Sequence, residues 1–251
     1  MLKRFLLGTA SLVALTGVAA TAANALLIDS FDDAPQAISI SGPEADPGGS
    51  DPSVTLLDNA GGDVAGDPGP HASIIGGYRD ITTTLIASPD ELSSTAANAT
   101  FGGGLFRHVQ DVSVQSHTAI TYDGLASAGL AGEDFTDGGA SGQFHIVVTL
   151  ADLPIEWSIE LFDGAATDIF FFSSPGGIVT ATDFFLPFSN WAVDFTSIDS
   201  MIFTANTLDN GSVDTAVDLI ETIGVPEPAS LTLLGAGLMG LGGFTRKRKT
   251  T

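Results

Sequence analysis

Apolar residues between Leu26 and Val225 recur in short runs, many with a period of two, and no stretch sustains the 3.6-residue period of a helix. The alternation is clearest where Ile155, Trp157, Ile159 and Leu161 point one way and Glu156, Ser158 and Glu160 point the other. Phe144, Ile146, Val148 and Leu150 alternate in the same sense. Further runs are Ala72–Ile75 and Ile81–Ile86 around Gly76-Gly77, then Val112–Ile120, Ile169–Phe172, Ile178–Thr182, Phe184–Phe188 and Met201–Ala205. Val213, Val217, Leu219 and Ile223 close the series. Gly, Asp, Asn and Pro clusters separate these runs. The pattern predicts an all-β domain, an antiparallel β-sandwich of jelly-roll type, with the 16 phenylalanines supplying much of the inter-sheet core. Ser41–Gly69, rich in Gly, Pro and Asp, reads as long loops, and Pro89–Ala99 as a short helical turn or loop.

The two ends break this pattern. Lys3 and Arg4 precede an apolar run from Phe5 to Ala20, and Ala23-Asn24-Ala25 offers the small-x-small sequence that signal peptidase requires. Residues 1–25 therefore read as a signal peptide for the Sec translocon, with cleavage leaving Leu26 first. At the other end, Val225-Pro226-Glu227-Pro228 is a stiff extended segment, because each proline fixes its own φ and restricts the residue before it. A glycine-rich apolar stretch follows, and Arg246-Lys247-Arg248-Lys249 stands behind it. Ala229 to Thr245 is 17 residues, the short limit for a transmembrane helix, and its glycines weaken it further. The basic cluster places that end in the cytoplasm and the domain outside.

The Pro226-Glu227-Pro228 triplet, single apolar span and terminal Arg/Lys cluster together resemble the PEP-CTERM sorting signal of Gram-negative bacteria. The resemblance covers residues 225–251. It implies processing by an exosortase-type membrane enzyme, a transient anchor in the inner membrane, and delivery to the cell surface or beyond it. It also implies bacteria that make extracellular polysaccharide. The chain then divides into a signal peptide (1–25), an exported domain (26–224) and a sorting signal (225–251).

Charge narrows the partners of the exported domain. Between Leu26 and Val225 two arginines face 29 acidic residues, a formal charge of −27. Such a surface repels nucleic acid and anionic lipid. There is no cysteine, so disulfides, thiolate metal sites and cysteine nucleophiles are excluded.

No motif in the domain specifies a reaction or requires a cofactor. Asp29, Asp32 and Asp33 near the first strand, with Asp214, Asp218 and Glu221 in the last, suggest carboxylates that share a structural calcium ion, with Asp29, Asp32 and Asp218 the leading set. Gly61–Asp67 occurs once, whereas glycine-aspartate calcium repeats work stacked. Arg79, after Gly76-Gly77, reads chiefly as half of an ion pair, with Asp80 one candidate partner and ligand binding the alternative. Arg107 and His108 divide the same way. His145 alternates with core positions and faces out. Glu156 and Glu160 lie about 13 Å apart at about 3.3 Å per residue, too far for a glycosidase pair. For sugar binding the candidate aromatics are Trp157, Trp191, Tyr78 and Tyr122, which that role requires to be exposed. The reading is a non-enzymatic surface or matrix protein that binds extracellular polysaccharide. The alternatives are a secreted polysaccharide hydrolase whose acids the sequence does not single out, and an acidic adhesive protein.

Overall fold

Thirteen strands form two antiparallel sheets packed face to face in the computed structural model, which describes residues 25–32, 36–41, 53–57, 70–87, 96–206 and 211–225. They are β1 (Leu26–Asp29), β2 (Gln36–Ser41), β3 (Ser53–Leu57), β4 (Asp80–Ala87), β5 (Ala96–Phe101), β6 (Phe106–Gln110) and β7 (Gln115–Tyr122). After them come β8 (Gln143–Ala151), β9 (Ile155–Phe162), β10 (Thr167–Ser174), β11 (Thr182–Pro187), β12 (Ser200–Asn206) and β13 (Thr215–Ile223). Sheet A runs β11-β8-β13-β6-β5-β2, with β1 also paired to β13; sheet B runs β10-β9-β12-β7-β4-β3. The chain crosses repeatedly between the sheets, so β10 and β11 become the edge strands of opposite sheets.

The alternation puts the expected residues inside. Ile155, Trp157, Ile159 and Leu161 of β9 are all fully buried, against Phe144, Ile146 and Val148 of β8 and Met201 and Phe203 of β12. Each large apolar side chain removed from water contributes roughly 1.5–3 kcal/mol before chain entropy is counted.

A polar layer interrupts the core. Along β4 the inward order is Ile81, Thr83, Leu85; from β7 into the preceding turn it is Ile120, Thr118, Ser116, Val114. On β6 the inward positions after Phe106 are His108 and Gln110. These polar residues separate the main core from a small second cluster of Ile40, Leu85, Ala97 and Val114. Their groups satisfy one another. His108 Nδ1 lies 2.8 Å from Thr118 Oγ1, which is 2.9 Å from Thr83 Oγ1. Gln110 Nε2 donates to the Ser116 carbonyl at 2.9 Å and lies 3.0 Å from His108 Nε2.

Several boundaries differ from the sequence reading. Ile74 makes only an isolated bridge to Asp29, and Ile75–Gly77 is a single 3-10 turn. Gly77 has φ 79°, where a Cβ would run into Pro70. The run from Val112 becomes a turn before β7 begins at Gln115. Ile178 is an isolated bridge, and β11 starts at Thr182. β3 lies inside the stretch expected to be loop, and residues 96–99 of the expected helical turn belong to β5. Gly61–Asp67 and Asp33 lie outside the described residues, as do all of the leader before Ala25 and the tail after Val225. Among the described residues no helix is long and apolar enough to cross a membrane.

Candidate functional site

Arg79 and Asp29 meet across the sandwich as a buried ion pair. One guanidinium nitrogen of Arg79, Nη1, contacts Asp29 Oδ1 at 2.9 Å and Oδ2 at 2.6 Å, and both side chains have no solvent exposure. Tyr122 donates its hydroxyl to Asp29 Oδ2 at 3.0 Å, and the Phe31 N–H donates to Oδ1 at 2.7 Å. The Arg79 guanidinium also lies over the Phe101 and Phe31 rings, 4.8 and 5.7 Å from their centroids. Burial pushes the Asp29 carboxyl up, and the Arg79 charge acts against it. The ion-pair partner is thus Asp29, fifty positions away, and not the adjacent Asp80.

This pairing decides two of the sequence candidates. Arg79 has no face toward solvent and is not a ligand-binding arginine. Asp29 has both oxygens engaged by protein donors, which removes it from a shared calcium set. Asp32 Oδ1 and Asp218 Oδ1 both lie near Gly104, 3.3 and 3.8 Å from where a Cβ on it would stand. Among the described residues, however, no three acidic or histidine side chains gather as a metal site. The candidate aromatics are also inside: Trp157 and Tyr122 are fully buried, Trp191 is 6% exposed and Tyr78 8%. Trp191 donates its indole N–H to the Ile159 carbonyl at 3.0 Å. The aromatics most open to solvent are Phe185 and Phe171 on the edge strands β11 and β10, followed by Phe162 at the end of β9, and these the sequence reading did not select.

The richest exposed constellation lies on the outer face of sheet A. His145 on β8 stands directly opposite Phe185 on β11 and Glu221 on β13. Asp183, two residues before Phe185, shares that face. His145 Nδ1 lies 2.8 Å from Glu221 Oε1, and Nε2 lies 2.9 Å from Asp183 Oδ1. A carboxylate on each ring nitrogen favours the imidazolium, the form in which both nitrogens donate. Partial burial lowers the His145 pKa, but hydrogen bonds and charge from Glu221 and Asp183 outweigh it and hold the value above that of a free imidazole. Phe185 stacks on the imidazole at 4.9 Å between centroids and 10° between planes, and it remains 52% exposed.

This arrangement suits binding better than proton transfer. The imidazole has no lone pair left to take a proton while both carboxylates hold it. Phe185 offers a rigid apolar face, and the Asp183 side chain, 57% exposed, has acceptor capacity left for a ligand hydroxyl or amine. Glu156 and Glu160 lie half-buried on the outer face of the other sheet, apart from this group.

The domain's ends emerge together. β1 and β13 pair antiparallel with Leu26 opposite Thr222, so Ala25 and Val225 leave the same end of sheet A. Ala25 and Val225 are both exposed.

No curated protein sequence matches the chain. Among solved structures, it is similar to a family 11 carbohydrate-binding module of a cellulosomal cellulase of Clostridium thermocellum, with 12% identity, a TM-score of 0.39, and coverage of 82% of this chain and 97% of that one. It is also similar to TmCBM61 solved in complex with β-1,4-galactotriose, at 8% identity and TM-score 0.31, over 69% of this chain and 89% of that one. An exo-β-agarase is matched at 9% identity and TM-score 0.37, over 59% of this chain and 24% of the enzyme. At the C-terminus, residues 224–249 match the family model of the PEP-CTERM protein-sorting motif. The segment leaving β13 at Val225 is therefore a PEP-CTERM sorting signal, the tag of an exported, membrane-associated substrate of exosortase processing.

Proposed function

We propose that this chain is a non-enzymatic surface or matrix protein whose β-sandwich binds extracellular polysaccharide on the outer face of sheet A. Export runs through the Sec translocon, with signal peptidase cutting after Ala25. The tail then holds the domain on the periplasmic side of the inner membrane until an exosortase-type enzyme processes it near Pro226-Glu227-Pro228. The basic cluster Arg246-Lys247-Arg248-Lys249 serves as the cytoplasmic stop.

One observation carries the binding reading: Phe185 is half exposed, yet it is fixed in place by stacking on His145, itself clamped between Glu221 and Asp183. A solvent-facing aromatic ring held this firmly loses little rotamer freedom when it takes a ligand. A pyranose ring presents an apolar C–H face to such a surface and hydroxyls to the carboxylates beside it. The test is a glycan-array screen of the full chain in detergent, wild type beside Phe185→Ser. Binding by the wild type and loss of at least about tenfold in the variant, about 1.4 kcal/mol, are expected, with the melting temperature unchanged. Equal binding by both proteins rejects the site.

A further inference from the structure

The opposite face of the sandwich repeats the chemistry of the Phe185 site. β10 and β11 are the edge strands of sheets B and A, and they lie on the same side of the domain. Phe172 of β10 and Phe184 of β11 meet in the core at 5.6 Å, and both pack on Trp157. Alternation then turns their neighbours outward in opposite directions. Phe185 emerges on sheet A, and Phe171, 51% exposed, emerges on sheet B beside Ile169, 41% exposed.

Phe171 stands opposite Ser158 of β9, while Glu160 and Glu156 stand opposite Ile169 and Ser173. Both glutamates are therefore diagonal neighbours of the Phe171 ring, about 7–8 Å away between backbones. Thr204 of β12 extends the row beyond Ser158, and Ile202 and Asn206 stand beside Glu160 and Glu156. None of the six strands of sheet B contains a lysine or arginine. The strand histidine, His117, lies in the row of Glu156, two strands away on β7. The sheet A site holds His145 between its two carboxylates; among the described residues no basic group stands between the glutamates beside Phe171.

We propose that Phe171, Glu156 and Glu160 form a second binding platform for a polysaccharide that carries protonated amino groups, so that one domain bridges two polymer chains. The inference rests on the binding reading for Phe185 and extends it. An exposed ring flanked by two carboxylates that have no basic partner among the described residues, in a domain of formal charge −27, attracts a cationic sugar and repels a uronic one. A glucosamine unit supplies both halves of the match, an apolar ring face for Phe171 and an ammonium group for a glutamate. The back-to-back placement on two faces prevents a single polymer strand from occupying both sites by lying flat.

Calorimetric titration of the full chain in detergent with glucosamine hexamer and N-acetylglucosamine hexamer tests this. For the wild type, two sites per chain are expected with the glucosamine hexamer. Phe171→Ser should leave one site and end the clouding of long chitosan by the protein. Glu156→Gln with Glu160→Gln should weaken the same site about tenfold, and 0.5 M salt should weaken it similarly, at a Debye length of roughly 4 Å. Phe185→Ser should leave the sheet B site alone. If Phe185→Ser removes all binding, the second platform is overturned while the sheet A reading stands. If Phe171→Ser alone removes all binding, the sheet A reading fails and the sheet B platform stands. Equal affinity for the acetylated hexamer overturns the amine assignment, and no binding to either hexamer overturns the proposal.

Discussion

Lowering the pH should destabilise this domain through His108. The imidazole is fully buried, and burial with the nearby charge of His117 holds its pKa down to about 4, from the ordinary value of 6.5. Geometry points the same way. Gln110 Nε2 has only hydrogens to offer, so His108 Nε2 accepts and Nδ1 carries the proton toward Thr118 Oγ1. Protonating Nε2 would set donor against donor at 3.0 Å. The folded state thus binds this proton less readily than the unfolded chain. Its contribution is fully present above pH 6.5 and drains away as pH falls from 6.5 toward 4. The gap in pKa is worth about 3 kcal/mol at about 1.4 kcal/mol per unit, and about 2 kcal/mol of it is lost by about pH 5.

Many carboxylates titrate in the same range, so the wild-type curve alone does not isolate His108. Urea unfolding of wild type and His108→Gln between pH 7.5 and 4.5 does, because a constant cost of the substitution drops out of the slope. The stability gap between the two proteins should shrink by about 2 kcal/mol toward pH 5. NMR should show His108 still neutral at pH 5.5 while His145, held by Glu221 and Asp183, is protonated. Parallel stability curves, or a His108 titration near 6.5, would refute the argument.

Three other outcomes follow, two from the structure and one from the sorting motif. Arg79→Met should cost about 3–5 kcal/mol in urea unfolding, because it leaves Asp29 buried without its counter-charge, and adding Asp29→Leu should recover part of the loss; simple additivity of the two would count against the pair. Chelator should leave the melting temperature of the calcium-treated protein unchanged, since Asp29 is committed to Arg79; a drop of several degrees would show that Asp32 and Asp218 recruit other ligands to hold an ion. Replacing Pro226 and Glu227 with alanine should leave full-length protein in the inner membrane on immunoblots, and normal processing would detach the motif from sorting.

Much of the fold can be read from the chain where polarity and burial agree. β9 and β8 alternate cleanly because their inward positions are all apolar, and the bend before β4 is marked by Gly76-Gly77. β6 escapes because two of its inward positions are His108 and Gln110, polar groups that the layer beneath them satisfies. β1 escapes because its last inward residue is Asp29, whose charge is tolerated only opposite Arg79. The binding face was less legible. Phe184 and Phe185 are chemically identical neighbours, and so are Phe170, Phe171 and Phe172, so composition does not say which ring of each run reaches water.

By itself the sequence determined the sorting tail, the acidity and the all-β class, because each rests on local chemistry: a proline motif, a count of charges, a period of two. Only the tertiary structure decided which aromatics are core and which are surface, and which carboxylate answers Arg79. Those outcomes depend on register between strands far apart in the chain. A shift of one residue would turn Phe185 inward and Phe184 out, and the packing of Phe184 on Trp157 and Phe172 is what holds the register that exposes the site.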